Sequence, residues 1–393
     1  MPCFEALSGQ DEPTWETYTV SRTFNPQTPM TRPLPAVIAA AQNASDRMAD
    51  RHTPFVMNDW YVAAFAEEIK EELLGRTLLG RQLVFYRTST GQVVALEDRC
   101  PHRSMPLSAG TLTQDTIVCG YHGLRFNAEG DCIEVPSQAN CPKNVGIRSY
   151  RTHERGAVVW IWMGEAELAD LSKLPPQDWM ESGEWERSQG YLSLQGSYVR
   201  LHENLLDLTH LSFLHAKSFG TPDYAKAAFE SVIGDGQFAL LRNVVPTTLP
   251  PVWAIPTGLT GQGQAARIVR SEFRSLGLHE VSVTFYDCNL PENERPQFRI
   301  RTAHMPTPET ATSTHYFIVH GRDFALGNPE TTRFMHDQLF VAFQEDVDGL
   351  ALQEQALAST PPEDLYEFSV AADAPAVAMR RYVLARQRQE APD

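Results

Sequence analysis

Between Trp60 and about Met163 the chain runs in short apolar stretches, rich in β-branched and aromatic residues, each closed by a turn. Gln82–Tyr86, Gln92–Leu96, Thr116–Cys119 and Ala157–Trp162 read as strands, and Thr90-Gly91, Glu129-Gly130 and Arg155-Gly156 supply turns. Strands spaced this closely predict a small antiparallel β domain. Asp170–Glu186, with its prolines and acidic residues, reads as a linker. Beyond it the period changes. Strands are expected at Phe238–Val245, Glu280–Tyr286, Phe298–His304 and Thr314–Val319. Leu201–His215 has helical character, Thr331–Ala358 reads as a long helix, and another is expected near Ala374–Arg386. Strands in the middle with helices outside predict an α+β second domain. Ahead of both lies a polar, proline-punctuated stretch with one helix expected around Ala36–Met48. The pattern divides the chain into an extension over 1–55, a β domain over 56–165 and a second domain over 166–393.

Composition narrows the function classes. The 393 residues are 42% hydrophobic and 21% charged, enough for sizeable cores. A formal charge of −16 argues against a nucleic-acid partner and against attraction to anionic membranes. It leaves room for a local basic pocket and an anionic small molecule. The N-terminus has neither a basic start nor an apolar core, so no secretory signal is expected. No apolar run approaches the roughly 20 residues that span a bilayer. Six cysteines in so long a chain do not make a disulfide scaffold. Two of them sit beside histidines, which suggests metal binding in a reducing compartment and makes the cytoplasm the expected address. Cys132 and Cys141 follow soon afterwards and are read as unpaired.

The first candidate site is Cys100, His102, Cys119 and His122, arranged as Cys-x-His, sixteen residues, then Cys-x-x-His. Each pair can present a thiolate and an imidazole from a loop at the end of a hairpin. A single zinc ion is one reading. A [2Fe–2S] cluster with two cysteines on one iron and two histidines on the other is the second. Zinc fingers pair like ligands in sequence, whereas each loop here pairs unlike ones. Two distinct irons account for that arrangement.

The second candidate site lies in HENLLDLTHLSFLH. Asp207 and His210, three apart, would share a helix face. His215, five further on, is about 140° round an ideal helix from His210, so the two histidines converge only where the helix bends or ends. Gly220 and Pro222 fit an end nearby. A 2-His-1-carboxylate set needs one more acid. In FMHDQLFVAFQEDVDGLALQEQ the apolar stripe runs through Leu339, Phe343 and Leu350 and includes position 346. Asp346 therefore faces the core, where a bare carboxylate requires a partner. A salt-bridged or capped buried Asp is the alternative. Glu345 falls beside Gln338 and Ala342. Arg242, Arg267, Arg270 and Arg301 could each hold a carboxylate, with a surface position the ordinary alternative.

The Cys-Pro-His-Arg and Cys-Gly-Tyr-His-Gly contexts resemble the Rieske motif of aromatic-ring oxygenases. Asn204, Asp207, His210 and His215, as N-x-x-D-x-x-H-x₄-H, resemble the mononuclear-iron motif of the same family. Similarity extends from Asn58-Asp59-Trp60-Tyr61 to Ala378-Met379-Arg380-Arg381 and is nearest the branch of vanillate and dicamba O-demethylases and toluenesulfonate methyl-monooxygenase. The resemblance implies the oxygenase component of a multicomponent system. Cys100, His102, Cys119 and His122 would bind a Rieske [2Fe–2S] cluster, and His210, His215 and Asp346 a mononuclear Fe(II). It further implies an NAD(P)H-dependent reductase or ferredoxin as electron donor, O2 as co-substrate, and a head-to-tail homotrimer. In that ring Asp207, with Asn204 beside it, would link His122 of the next subunit to His210. The expected reaction is O-demethylation of a methoxylated aromatic acid. Ring dihydroxylation, aryl-ether cleavage, or an electron carrier with a non-catalytic second domain are the alternatives. The extension of about fifty residues is longer than this branch usually shows.

Overall fold

The structure is a computed structural model and describes residues 35–45, 55–142 and 144–390. Helix α1 (Pro35–Ser45) falls where a helix was expected, and the remainder of the 1–55 extension lies outside the described residues apart from residue 55. Within α1, the Gln42 side-chain amide donates to the carbonyls of Glu363 and Leu365.

Ten short strands follow: β1 (Trp60–Phe65), β2 (Leu74–Leu78), β3 (Arg81–Arg87), β4 (Val93–Glu97), β5 (Thr111–Thr113), β6 (Thr116–Val118), β7 (Arg125–Phe126), β8 (Cys132–Glu134), β9 (Arg151–Arg155) and β10 (Val158–Trp162). They form three antiparallel sheets, ordered β1-β10-β9, β2-β3-β4 and β5-β6-β7-β8. The predicted glycines do the turning: Gly91, Gly130 and Gly156 have φ of 87°, 90° and 60°, a region that disfavours residues with a Cβ.

Asp170–Glu186 is not a free linker. It contains helix α2 (Asp178–Glu181), Trp179 and Met180 are buried, and the Trp179 indole donates to Glu280 Oε2 at 3.0 Å. Its polar composition hid two large apolar side chains that pack beneath the next sheet.

That sheet has seven antiparallel strands: β11 (Glu186–Leu194), β12 (Phe229–Ile233), β13 (Phe238–Thr247), β14 (Ala265–Ser275), β15 (Leu278–Asp287), β16 (Phe298–Thr310) and β17 (Ser313–Arg322). The last six form a meander, and β11 pairs with β17 on the far edge. Four of these strands were legible from their apolar runs. β11, β12 and β14 were not, because charged and polar residues interrupt them.

Every residue of β17 is buried, as expected of a strand covered on both faces. Tyr316 and Ile318 join the core under the helices, while Phe317 and Val319 join a second core with Trp60, Trp160 and Trp162 of the first domain. Domain contact is reinforced by Thr307, whose hydroxyl donates to the Val62 carbonyl at 2.7 Å.

Helices α3 (Tyr198–Leu206), α4 (Pro251–Thr257), α5 (Pro329–Ser359) and α6 (Ala374–Glu390) complete the α+β second part. Ser197 caps α3 through the Arg200 N–H, and Asn328 caps α5 through the N–H groups of Glu330 and Thr331. The end of α6 returns to the start of the first domain. Glu390 accepts from the N–H groups of Met57 and Asn58, and Arg386 pairs with Asp59 at 3.1 Å.

Candidate metal centres

The two cysteine–histidine loops share one backbone design. Cys100 N–H donates to Met105 O at 2.9 Å, and Ser104 N–H returns to Cys100 O at 2.9 Å. Cys119 N–H donates to Leu124 O at 2.8 Å, and Gly123 N–H returns to Cys119 O at 3.0 Å. Ser104 and Gly123, the fifth residue of each loop, both take left-handed backbone, with φ of 56° and 74°. Congruent loops thus hold a Cys at the base and a His at the tip. Gly110 lets them approach, since a Cβ there would collide with the Val118 carbonyl oxygen.

Like side chains then meet across the gap. Cys100 and Cys119 are buried together, and burial pushes the Cys100 thiol up. The rings of His102 and His122 stand 4.5 Å apart at the exposed tips. Among the described residues, only one set of three or more His, Cys, Asp or Glu side chains converges within 4.8 Å, and it is the other site. Two cysteines at one end and two histidines at the other suit a two-iron cluster better than one zinc ion. The described Cys132 and Cys141 are free thiols, as read.

At the second site α3 ends earlier than the sequence reading placed it. Asp207 is the C-cap, with extended backbone, and its Oδ1 accepts the Thr209 N–H at 2.7 Å. This local bond competes with helical bonding, so Asp207 and His210 do not share a helix. A single 3₁₀ turn, His210–Ser212, carries the first histidine. The turns beyond it bring His215 back, with the two rings 5.1 Å apart. Gly220 closes this segment, because a Cβ there would strike the Leu211 carbonyl.

Asp346 reaches the pair from α5, 4% exposed. Its Oδ1 lies 3.1 Å from His215 Nε2 and 3.6 Å from His210 Nε2, and it accepts the Asn204 amide at 3.0 Å. His210, His215 and Asp346 are the set that converges within 4.8 Å. Burial pushes the Asp346 carboxyl up, yet the His215 bond and both histidine rings outweigh it and hold the carboxyl below its usual range. Burial opposes a charged His215, but Asp346 and then Glu345 overcome that and raise its pKa. The two carboxylates thus favour positive charge at His215, beside the place a divalent cation would take. The donor set fits such an ion.

Glu345, passed over in the sequence, has its own part. Its Oε2 is 2.8 Å from His215 Nδ1 and accepts the Ser218 hydroxyl at 2.7 Å, so it fixes the ring from behind. Asp207 Oδ2 stands 3.6 Å from His210 Nδ1, beyond hydrogen-bond reach. Burial raises the Asp207 carboxyl, while the neighbouring His210 ring and the Thr209 N–H bring it below its usual value.

Inside the triad lies a mostly apolar cavity of about 70 Å³, walled by Leu205, Phe219, Trp253, Val283 and Phe343. His304 and Arg267 also line it. Burial lowers the His304 pKa to about 3, so this ring is neutral, with Nδ1 2.5 Å from the Tyr316 hydroxyl. Neither His304 nor Glu345 carried a motif. Outside the triad a cleft of about 890 Å³ opens, lined by Asp207, His210, Phe213, Tyr366 and Phe368 among others. Of the four arginines, Arg242 and Arg267 are buried rather than on the surface; Arg270 pairs with Glu272, and Arg301 stacks on Trp185.

A cysteine–histidine β domain, fused to a helix-flanked sheet bearing a 2-His-1-carboxylate set, defines an oxygenase of the Rieske non-haem iron class. Residues 59–151 match the Rieske [2Fe-2S] domain, and residues 194–388 match the vanillate O-demethylase oxygenase C-terminal domain. The chain is 34% identical over 326 residues to a toluene-4-sulfonate monooxygenase system iron-sulfur subunit of Comamonas testosteroni, covering 81% of this chain and 93% of that one. It is 35% identical over 281 residues to the oxygenase component of dicamba O-demethylase of Stenotrophomonas maltophilia, covering 70% and 81%. A crystal structure of dicamba monooxygenase bound to 3,6-dichlorosalicylic acid superposes with a TM-score of 0.82 at 29% identity, over 87% of this chain and all of that one. The chain belongs to this family of Rieske oxygenase components, and its first domain is a [2Fe–2S] domain. Among the described residues no helix is long and apolar enough to cross a membrane.

Proposed function

We propose that the protein is the terminal oxygenase that O-demethylates a methoxylated aromatic acid, with electrons from a separate NAD(P)H-dependent reductase or ferredoxin. The observation that carries this reading is the convergence of His210, His215 and Asp346 on the wall of an apolar, aromatic-lined cavity. Relatives named for vanillate, dicamba and toluene-4-sulfonate support an anionic aromatic substrate. Domain limits of 56–165 and 166–393, and a cytoplasmic address, belong to the same reading.

In this reading Cys100 and Cys119 would hold one iron of the cluster, and His102 and His122, at the exposed tips, would hold the other. His210, His215 and Asp346 would hold Fe(II), whose open positions supply O2 activation beside the substrate. Asn204 fixes the Asp346 carboxylate, and Glu345 engages His215 Nδ1, which would leave Nε2 to hold the metal. Apolar walls keep bulk water away from the reacting methyl group. An aryl methyl ether, O2, two electrons and two protons yield a phenol, formaldehyde and water, through a hemiacetal that loses formaldehyde.

Electron entry belongs to a head-to-tail homotrimer, in which His122 of the next subunit docks at Asp207. Phe213 and Phe368, 73% and 70% exposed, line the cleft beside Asp207, and Tyr121, 62% exposed, stands beside His122. Such exposed aromatic side chains suit burial at an interface. Asp207, already close to His210, would complete the link.

The test is a screen of methoxylated and unsubstituted aromatic acids with a surrogate reductase and NAD(P)H, following oxygen uptake, formaldehyde and ring products. Formaldehyde in step with substrate loss is expected. A cis-diol, or aryl-ether cleavage without formaldehyde, overturns the demethylase reading.

A further inference from the structure

An inward-facing position on a buried strand normally carries an apolar side chain, and β14 breaks that rule with a charge at Arg267. Ala265 and Val269 face the helix-side core, and Arg267 stands between them on the same face. Its cross-strand neighbours are Val244 on β13 and Phe285 on β15, both buried and apolar. Arg267 itself is 3% exposed.

A buried guanidinium is costly unless it is paired, and this one is underpaired. Its Nη1 donates to the Phe219 carbonyl at a long 3.3 Å, and its plane lies over the Tyr224 ring at 4.7 Å. Among the described residues its Nε has no hydrogen-bond partner. The guanidinium feels the charge of Asp223, but no ion pair joins the two side chains. Asp223 Oδ2 accepts from the Thr247 hydroxyl, and its Oδ1 has no hydrogen-bond partner among the described residues. Arg242, on the neighbouring strand, differs: it bonds both the Tyr224 carbonyl and the Thr209 hydroxyl.

Arg267 also lines the cavity that contains His210, His215 and Asp346. Trp253, on the same wall, has an indole N–H without a partner among the described residues. A cation with an unpartnered Nε and an unpartnered neutral donor thus line a largely apolar chamber, in which Asp346, the one acid among its described lining residues, is engaged by histidines.

We propose that Arg267 is the specificity residue that receives the anionic group of the substrate, with the Trp253 indole N–H as auxiliary donor. The acid group lies against β14 and the ring extends along the apolar walls. Its opposite substituent is turned toward the His210–His215–Asp346 set. This assignment deepens the reading of the cavity as the substrate site and rests on it.

The experiment measures binding to the iron-loaded enzyme, by quenching of tryptophan fluorescence, of 4-methoxybenzoate, 4-methoxybenzenesulfonate and neutral 4-methoxybenzamide. Formaldehyde release is followed in parallel. Wild type should bind the two anions at least tenfold more tightly than the amide. Arg267→Gln should lose that preference through KM more than kcat, with cluster absorbance and iron content unchanged, and Arg267→Lys should recover part of it. Equal binding of acid and amide by wild type, or an acid preference that survives in Arg267→Gln, overturns the proposal. The wild-type comparison stands even where a variant does not fold. Arg267-dependent anion binding without formaldehyde upholds this assignment and removes demethylation instead.

Discussion

At the scale of single residues, the proposed iron site depends on side chains that hold other side chains. Glu345 is one helical step from Asp346, yet the two do different work. Asp346 points to the two Nε2 atoms, and Glu345 grips His215 Nδ1 from the other side. Removing such a supporting carboxylate typically weakens metal affinity by about 10–100-fold. Glu345→Ala should therefore lose iron on dialysis against a chelator at a concentration that wild type withstands, while its cluster absorbance stays intact. Glu345→Gln, still able to accept from the ring, should fall between. Equal iron retention by all three proteins would remove this role. The stripe of Leu339, Phe343 and Leu350 made Asp346 legible, because burial of a carboxylate is itself a signal. Glu345 sits off the stripe, and its partner is 130 residues away in sequence; nothing local marks it.

At the scale of elements, a position without a side chain sets the cluster loops. The cluster loops interlock because Gly110 allows the chain to run against the Val118 carbonyl. Gly110→Ala forces the loops apart, and the cluster, bridging both, should be lost or reduced in yield. Absorbance per chain after reconstitution measures this. Gly91→Ala is the control: its φ is 87° but nothing lies within 4 Å of the added Cβ, so only local strain of about 1–2 kcal/mol results and the cluster should persist. A full cluster in Gly110→Ala would show that the loops have slack. The sequence located these loops through their ligands and turn residues. It placed the end of α3 too late, since the spacing of Asp207 and His210 suits a helix and the competing Asp207–Thr209 bond is small in sequence terms. It also missed β14, whose arginines and glutamate disguise a strand with an apolar inner face.

At the scale of the whole molecule, the two metal sites lie in separate cores, and the proposed circuit joins them between subunits. Co-expressed, differently tagged Cys100→Ser and Asp346→Asn chains test this directly. Each variant alone should be inactive, the first lacking its cluster and the second its iron. Mixed oligomers, isolated through both tags, should regain part of the wild-type formaldehyde release. A trimer should appear at about three times the chain mass in sedimentation. No activity in mixed oligomers of that size would place electron transfer within one chain. Sequence alone pointed to the chemistry of the candidate sites: thiolates and imidazoles at Rieske spacing, two histidines in a helical stretch that had to bend or end to bring them together, and an acid on a buried stripe. These are short-range patterns, carried by a few consecutive turns. Only the tertiary structure decided what surrounds them. Arg267, His304 and Glu345 reach the site through strand register and helix packing, which bring together residues far apart along the chain. An arginine on a buried strand reads in the sequence like one on the surface until its cross-strand neighbours are known.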